Sequence, residues 1–118
     1  MGEISNISSV STLVEIAARK GVRDVVLSPG SRNAPFIISF NGHGAFNCQS
    51  ILDERSAGFV ALGIAQQQKK PVILNCTSGS AVLNYSPALV EAFYQNIPLI
   101  AVTADRPSEW IDQGEGQS

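Results

Sequence analysis

Four short polar strings carry the residue types that could do chemistry, and each follows an apolar run. Ser28-Pro29-Gly30-Ser31-Arg32-Asn33 comes after Asp24 to Leu27, and Asp53-Glu54-Arg55 comes after a run ending at Leu52. Thr77-Ser78-Gly79-Ser80 comes after Val72 to Cys76, and Thr103-Ala104-Asp105-Arg106-Pro107 closes the run that starts at Leu99. An arginine beside Gly and Ser, as at Arg32, suits a carboxylate or phosphate, because a guanidinium offers paired donors in one plane. A carboxyl such as Glu54 can hold or pass a proton, with an affinity set by its burial and neighbours. The small side chains of Thr77 to Ser80 would let a ligand approach the backbone, and Arg106 is a second candidate anion clamp.

Each string also has a purely structural explanation. Ser28 to Asn33 has the composition of a turn. Asp53 and Glu54 would complement the dipole of a helix that starts there, and Thr77 to Ser80 would cap another. Asp105 with Arg106 could be a surface ion pair worth little. The functional reading gains weight from coincidence, which depends on how the intervening elements arrange the four strings.

Those elements alternate. A helix capped at Ser8 or Ser9 runs to Lys20, with Val10, Leu13, Val14, Ile16 and Ala17 as its apolar stripe and Gly21 as its end. Asp24 to Leu27 reads as a buried strand, Ala34 to Phe40 as a short helix, Asn41-Gly42-His43-Gly44 as a break, and Phe46 to Leu52 as a second strand. From Asp53 to Gln68 the apolar positions Phe59, Val60, Leu62, Gly63 and Ile64 recur at helical spacing, and Lys69-Lys70-Pro71 closes the helix. Val72 to Cys76 is a third strand, Ala81 to Gln95 a helix interrupted near Ser86-Pro87, and Leu99 to Thr103 a fourth strand. Strands alternating with helices imply an α/β class: a doubly wound parallel sheet with helices on both faces. In such a sheet ligands bind beyond the carboxyl ends of the strands, and all four strings fall at those ends.

The chain has 118 residues, of which 44% are hydrophobic and 15% charged, enough for one compact core and too few for two ordinary domains. A net charge of -2 with scattered Lys and Arg argues against nucleic acid as a partner. The apolar runs are far short of the roughly 20 residues a membrane helix needs. The start lacks a charged stretch followed by an apolar one, so a cytoplasmic location is the default expectation. Cys48 and Cys76 fall in strand-like runs and read as small buried hydrophobes, and a structural zinc site is not expected. Neither G-x-G-x-x-G nor G-x-x-x-x-G-K-[ST] occurs, which removes support for a nucleotide assignment. The final loop, Glu115-Gly116-Gln117-Ser118, covers no sheet, and the whole chain, 1–118, is expected to be a single domain of a longer protein.

Leu27-Ser28-Pro29-Gly30-Ser31-Arg32-Asn33-Ala34-Pro35, Asp53 to Phe59, Thr77 to Ala81 and Thr103 to Pro107 together resemble, in order and spacing, one family of thiamine-diphosphate enzymes. These are the 2-succinyl-5-enolpyruvyl-6-hydroxy-3-cyclohexene-1-carboxylate synthases of menaquinone biosynthesis, and the match is to their amino-terminal, pyrimidine-binding domain. The resemblance implies a transferase that decarboxylates 2-oxoglutarate and adds the succinyl unit to isochorismate. It implies that Glu54 bonds the cofactor pyrimidine and promotes loss of the thiazolium proton, with Thr77, Ser78 and Gly79 beside that ring. By the same resemblance Ser31, Arg32, Arg106 and Gln117 contact isochorismate, and Asn33 stands where members often have a small hydroxyl residue. The cofactor diphosphate and its Mg2+ are expected to be held by a different segment, through a motif this sequence lacks, in a homodimer or homotetramer. Two other readings stay open from the residues: a non-catalytic module that binds an anion or a subunit, and an acetolactate-synthase-like decarboxylase, which would leave Arg32 and Arg106 unexplained.

Overall fold

A computed structural model of the chain describes residues 8–104. The elements are α1 Ser8–Arg19, β1 Asp24–Leu27, α2 Ala34–His43, β2 Asn47–Ser50, α3 Glu54–Gln68, β3 Val72–Cys76, α4 Ser80–Leu83, α5 Ser86–Gln95 and β4 Leu99–Thr103. The four strands form one sheet in the order β2-β1-β3-β4, and every pairing is parallel. No helix among the described residues is long and apolar enough to cross a membrane.

Every residue of β1 and β3 is buried, as befits strands with a layer on each face. Because side chains alternate, Val25, Leu27 and Ile73 face one layer, where they pack with Val10, Val14 and Ala17 of α1 and Phe40 of α2. Val26, Val72, Leu74 and Cys76 face the other, against Ala57, Ala61 and Ala65 of α3 and the Tyr85 ring. Each fully buried Val, Leu or Ile stabilises this arrangement by about 1.5–3 kcal/mol. The outer strands differ from the expectation of cover on both faces: β2 is mostly exposed and β4 is no better than half-buried.

Four local expectations are corrected. α2 does not stop at Phe40. It continues through Asn41 and Gly42 to His43, whose ring meets Phe46 edge-on while its Nε2 contacts Glu15 Oε1 at 3.0 Å. Tertiary contact with α1 thus outweighs the helix cost of Gly42. Gly44 supplies the stop, at φ 87°. β2 is shorter than expected because β1 offers it four residues of register, Asp24 to Leu27, plus one further bond from Ile51 N to Leu27 O. On α3 the buried face is Ala57, Gly58, Ala61, Leu62 and Ala65, whereas Phe59 and Val60 are partly in solvent. Small residues face inward because α5 crosses close by: a Cβ on Gly58 would stand 2.9 Å from Ala88 Cβ. On α1, likewise, Ile16 is exposed although it belongs to the apolar pattern.

Candidate functional site

Parallel pairing sends the carboxyl end of every strand to one edge, where the loops after β1, β2 and β3 meet. Ser28, buried just past β1, donates its backbone N–H to Asn75 O at 2.9 Å and its hydroxyl to Ile51 O at 2.8 Å. One residue thereby ties the ends of β1, β2 and β3 together. Gly30 lies so close to the loop after β3 that a Cβ there would be 2.6 Å from both Cβ and Cγ2 of Thr77. Ala104, following β4, donates its N–H to Cys76 O at 3.1 Å and closes the fourth corner.

Beneath this edge runs a buried amide network. Asn33 Oδ1 accepts from Gly30 N at 2.8 Å, and Asn33 Nδ2 donates to Ser28 O at 3.0 Å and to Asn75 Oδ1 at 2.9 Å. Asn75 Nδ2 in turn donates to Val102 O at 2.9 Å. Both amides are fully buried, where an unmet polar group costs about 1–3 kcal/mol, so a closed network stabilises this arrangement against slippage.

The acidic string divides its labour. Asp53 is the cap of α3, accepting from Ser56 Oγ at 2.6 Å and from Ser56 N at 2.9 Å. The Ser56 hydroxyl, then its backbone N–H, hold the Asp53 carboxyl below the usual range. Glu54, the first helical residue, is left half-buried, and its side chain makes no hydrogen bond or ion pair among the described residues. Tyr85 and Cys76 lie behind it, within reach of its charge. Burial pushes the Tyr85 phenol above its ordinary range, with the Cys76 and Glu54 charges adding to the shift. Burial likewise raises the Cys76 thiol, and Glu54 contributes. Among the described residues the buried Thr77 Oγ1 has no hydrogen-bond partner, and the buried Tyr85 Oη makes no well-aligned hydrogen bond, only loose approaches to the Ser28 hydroxyl and the Cys76 thiol. Gly79 takes φ 79° and ψ -139°, a backbone region that a side chain makes costly, and this bends the chain from β3 into α4.

Of the residues expected to act, Ser31, Arg32, Thr77, Ser78 and Gly79 belong to the loops gathered at this edge and Glu54 to the start of α3, with Ser31 exposed, Arg32 half-buried and Ser78 buried. Arg106 and Gln117 lie outside the described residues. Asn33, which had no role from sequence, and Asn75 turn out to organise the edge. The available signal was an amide set inside the apolar run Val72-Ile73-Leu74-Asn75-Cys76, since a buried strand position takes a polar side chain only with partners supplied. Tyr85, at the join of α4 and α5, carried no comparable signal.

The sequence matches the family described as "Thiamine pyrophosphate enzyme, N-terminal TPP binding domain" over residues 8–118. It is 57% identical over 116 residues to a 2-succinyl-5-enolpyruvyl-6-hydroxy-3-cyclohexene-1-carboxylate synthase of Porphyromonas gingivalis, covering 98% of this chain and 20% of that protein. A protein of the same name from Flavobacterium psychrophilum is 59% identical over 107 residues, covering 91% of this chain and 20% of its own length. The crystal structure of benzoylformate decarboxylase from Polynucleobacter necessarius superposes with a TM-score of 0.76 at 25% identity, over 98% of this chain and 21% of that one. The chain therefore spans about a fifth of the length of these relatives.

Proposed function

Because the chain belongs to the thiamine pyrophosphate enzyme N-terminal domain family, we propose that it is the aminopyrimidine-binding part of a 2-succinyl-5-enolpyruvyl-6-hydroxy-3-cyclohexene-1-carboxylate synthase. On this reading the whole enzyme is a thiamine-diphosphate-dependent transferase that uses 2-oxoglutarate and isochorismate. The observation that carries it is Glu54: a half-buried carboxyl at the functional edge whose capping duty has been taken by Asp53, leaving it without a partner among the described residues.

The edge fits an aminopyrimidine. Glu54 can exchange a proton with a ring nitrogen, the buried Thr77 Oγ1 lacks among the described residues a hydrogen-bond partner that a ligand could supply, and Ser78 and Gly79 bring backbone close by. When bound, thiamine diphosphate supplies the thiazolium carbon at which 2-oxoglutarate loses CO2 and from which the succinyl unit passes to isochorismate. The chain's own contribution is to orient the pyrimidine and move its proton through Glu54. Ser31 and Arg32, with Arg106 and Gln117, hold the acceptor's carboxylates. The diphosphate and Mg2+ would be held by another segment, supplied by a second subunit of a homodimer or homotetramer in the cytoplasm. Among the described residues no group of three or more His, Cys, Asp or Glu could hold a metal ion. Because on this reading the diphosphate and Mg2+ contacts belong to another segment, the chain alone is expected to be inactive.

Exchange of the thiazolium proton, followed by NMR in the full-length enzyme, tests the assignment without either substrate. Glu54→Gln keeps shape and hydrogen bonding but cannot exchange the proton, so the rate should fall about 100-fold or more. A wild-type exchange rate would return Glu54 to the role of a helix-start carboxylate, for which the change should cost only about 0.3–1 kcal/mol of stability.

A further inference from the structure

Asn33 occupies the position before α2 where an asparagine side chain ordinarily accepts from the first helical N–H groups, yet it makes no such bond. Its amide turns backward instead, to Gly30 N, Ser28 O and Asn75 Oδ1. Asn75 faces the same layer as Leu27, its register partner, and has no exposed surface. The two amides form a line with one direction: Gly30 N–H to Asn33, Asn33 N–H to Asn75, Asn75 N–H to Val102 O. The ends fix that direction, because a backbone N–H demands an acceptor and a carbonyl a donor. Flipping either amide would set oxygen against oxygen.

This line spans the molecule's functional edge. At one end is the loop that carries Ser31 and Arg32, and at the other is β4 one residue before its last, Thr103. The loop has a second restraint in the contact of Gly30 with Thr77. A turn of this composition could hold itself together through local bonds alone. Two buried amides used on its anchorage therefore suggest that its position, and not merely its closure, matters.

We propose that Asn33 and Asn75 are positioning residues that lock the Ser31-Arg32 loop to β4 and so set the placement of Arg32 for the acceptor's carboxylate. The proposal rests on the reading of that loop as the acceptor site. Neither amide touches substrate; both act through the loop backbone. A guanidinium that binds a carboxylate in two-point geometry tolerates little displacement, and a misplacement of about 1 Å can cost on the order of 100-fold.

The test uses the full-length enzyme with Asn33→Ala, Asn75→Leu and, as a reference, Arg32→Ala. Amide hydrogen exchange at Gly30 in the cofactor-free protein reports the relay directly and should accelerate about tenfold or more in both Asn variants. The KM for isochorismate should rise about tenfold or more in all three, while the KM for 2-oxoglutarate and thiazolium proton exchange stay within about threefold. A merely structural role would move these readouts together. If Arg32→Ala raises the acceptor KM but the Asn variants do not, the relay is overturned and the acceptor-loop reading stands. If Arg32→Ala leaves that KM unchanged, the acceptor-loop reading itself fails, and the relay's role in acceptor placement fails with it. Should Asn75→Leu not fold, Asn33→Ala and Asn33→Val carry the same measurements, since neither side chain can bond Gly30 or Asn75, and unchanged Gly30 exchange in them overturns the proposal.

Discussion

Replacing Gly30 by alanine isolates the close approach between the loops after β1 and β3. The new Cβ would lie 2.6 Å from Thr77 Cβ and 2.6 Å from Thr77 Cγ2. Carbon atoms rest at about 3.5–4.0 Å, so roughly 1 Å of separation has to be found. Neither side yields easily. Thr77 is β-branched, 6% exposed, and follows a strand residue whose carbonyl is held by Ala104 N–H. Gly30 is itself fixed through its N–H to Asn33 Oδ1. Overpacking of this kind costs about 1–3 kcal/mol, and the stiffer unfolded chain returns about 0.4–1 kcal/mol. The expected net loss is about 1–2 kcal/mol, which for a domain near this size lowers Tm by roughly 5–15 °C. Calorimetric melting of the chain reads it. Thr77→Ser on the Gly30→Ala background removes Cγ2, one of the two clashing atoms, and should recover part of the loss. A Gly30→Ala variant that melts at or above the wild-type temperature would refute the argument from close approach.

Two glycines of α3 should respond in opposite directions to alanine: Gly63→Ala, with nothing within 4 Å, gains about 0.5–1 kcal/mol in melts, whereas Gly58→Ala loses stability against Ala88. Tyr85→Phe removes a buried hydroxyl that makes no well-aligned hydrogen bond among the described residues, so it should be neutral or stabilising by up to about 1–2 kcal/mol in denaturant titration; a clear loss would mean that its approach to Ser28 or Cys76 is a stabilising bond. Glu15 is held below the usual carboxylate range by Arg19, then His43, so its contribution is present above the ordinary glutamate pKa and lost as pH falls through the lowered folded value. Melts of Glu15→Gln beside wild type should therefore differ at pH 7, begin to approach each other below about pH 4, the ordinary glutamate range, and converge only below the lowered folded value; a gap that persists in strong acid would contradict this origin.

Fold class and the gathering of the polar strings at one edge were legible in the amino-acid string because they depend on local, periodic properties. Continuous apolar runs at Val25 and Val72 announce strands covered on both faces, and helices between them force parallel connections. Parallel strands then place Ser28, Glu54 and Thr77 at a common edge with no further information. What periodicity misjudged was the inward face of α3, where Phe59 and Val60 are apolar yet turned partly to solvent, because the approach of α5 at Gly58 and Ala88 sets which side packs. The extension of α2 through Gly42 came from docking of His43 on Phe46 and Glu15, contacts distant in sequence. The division between Asp53 as cap and Glu54 as a carboxyl without a partner among the described residues required the position of Ser56 in three dimensions. The Asn33 and Asn75 line, 42 residues apart in sequence, exists only once β1 and β3 lie side by side. A hydrogen bond between buried amides has a direction and a length, and neither is written in the order of the residues until the chain has folded.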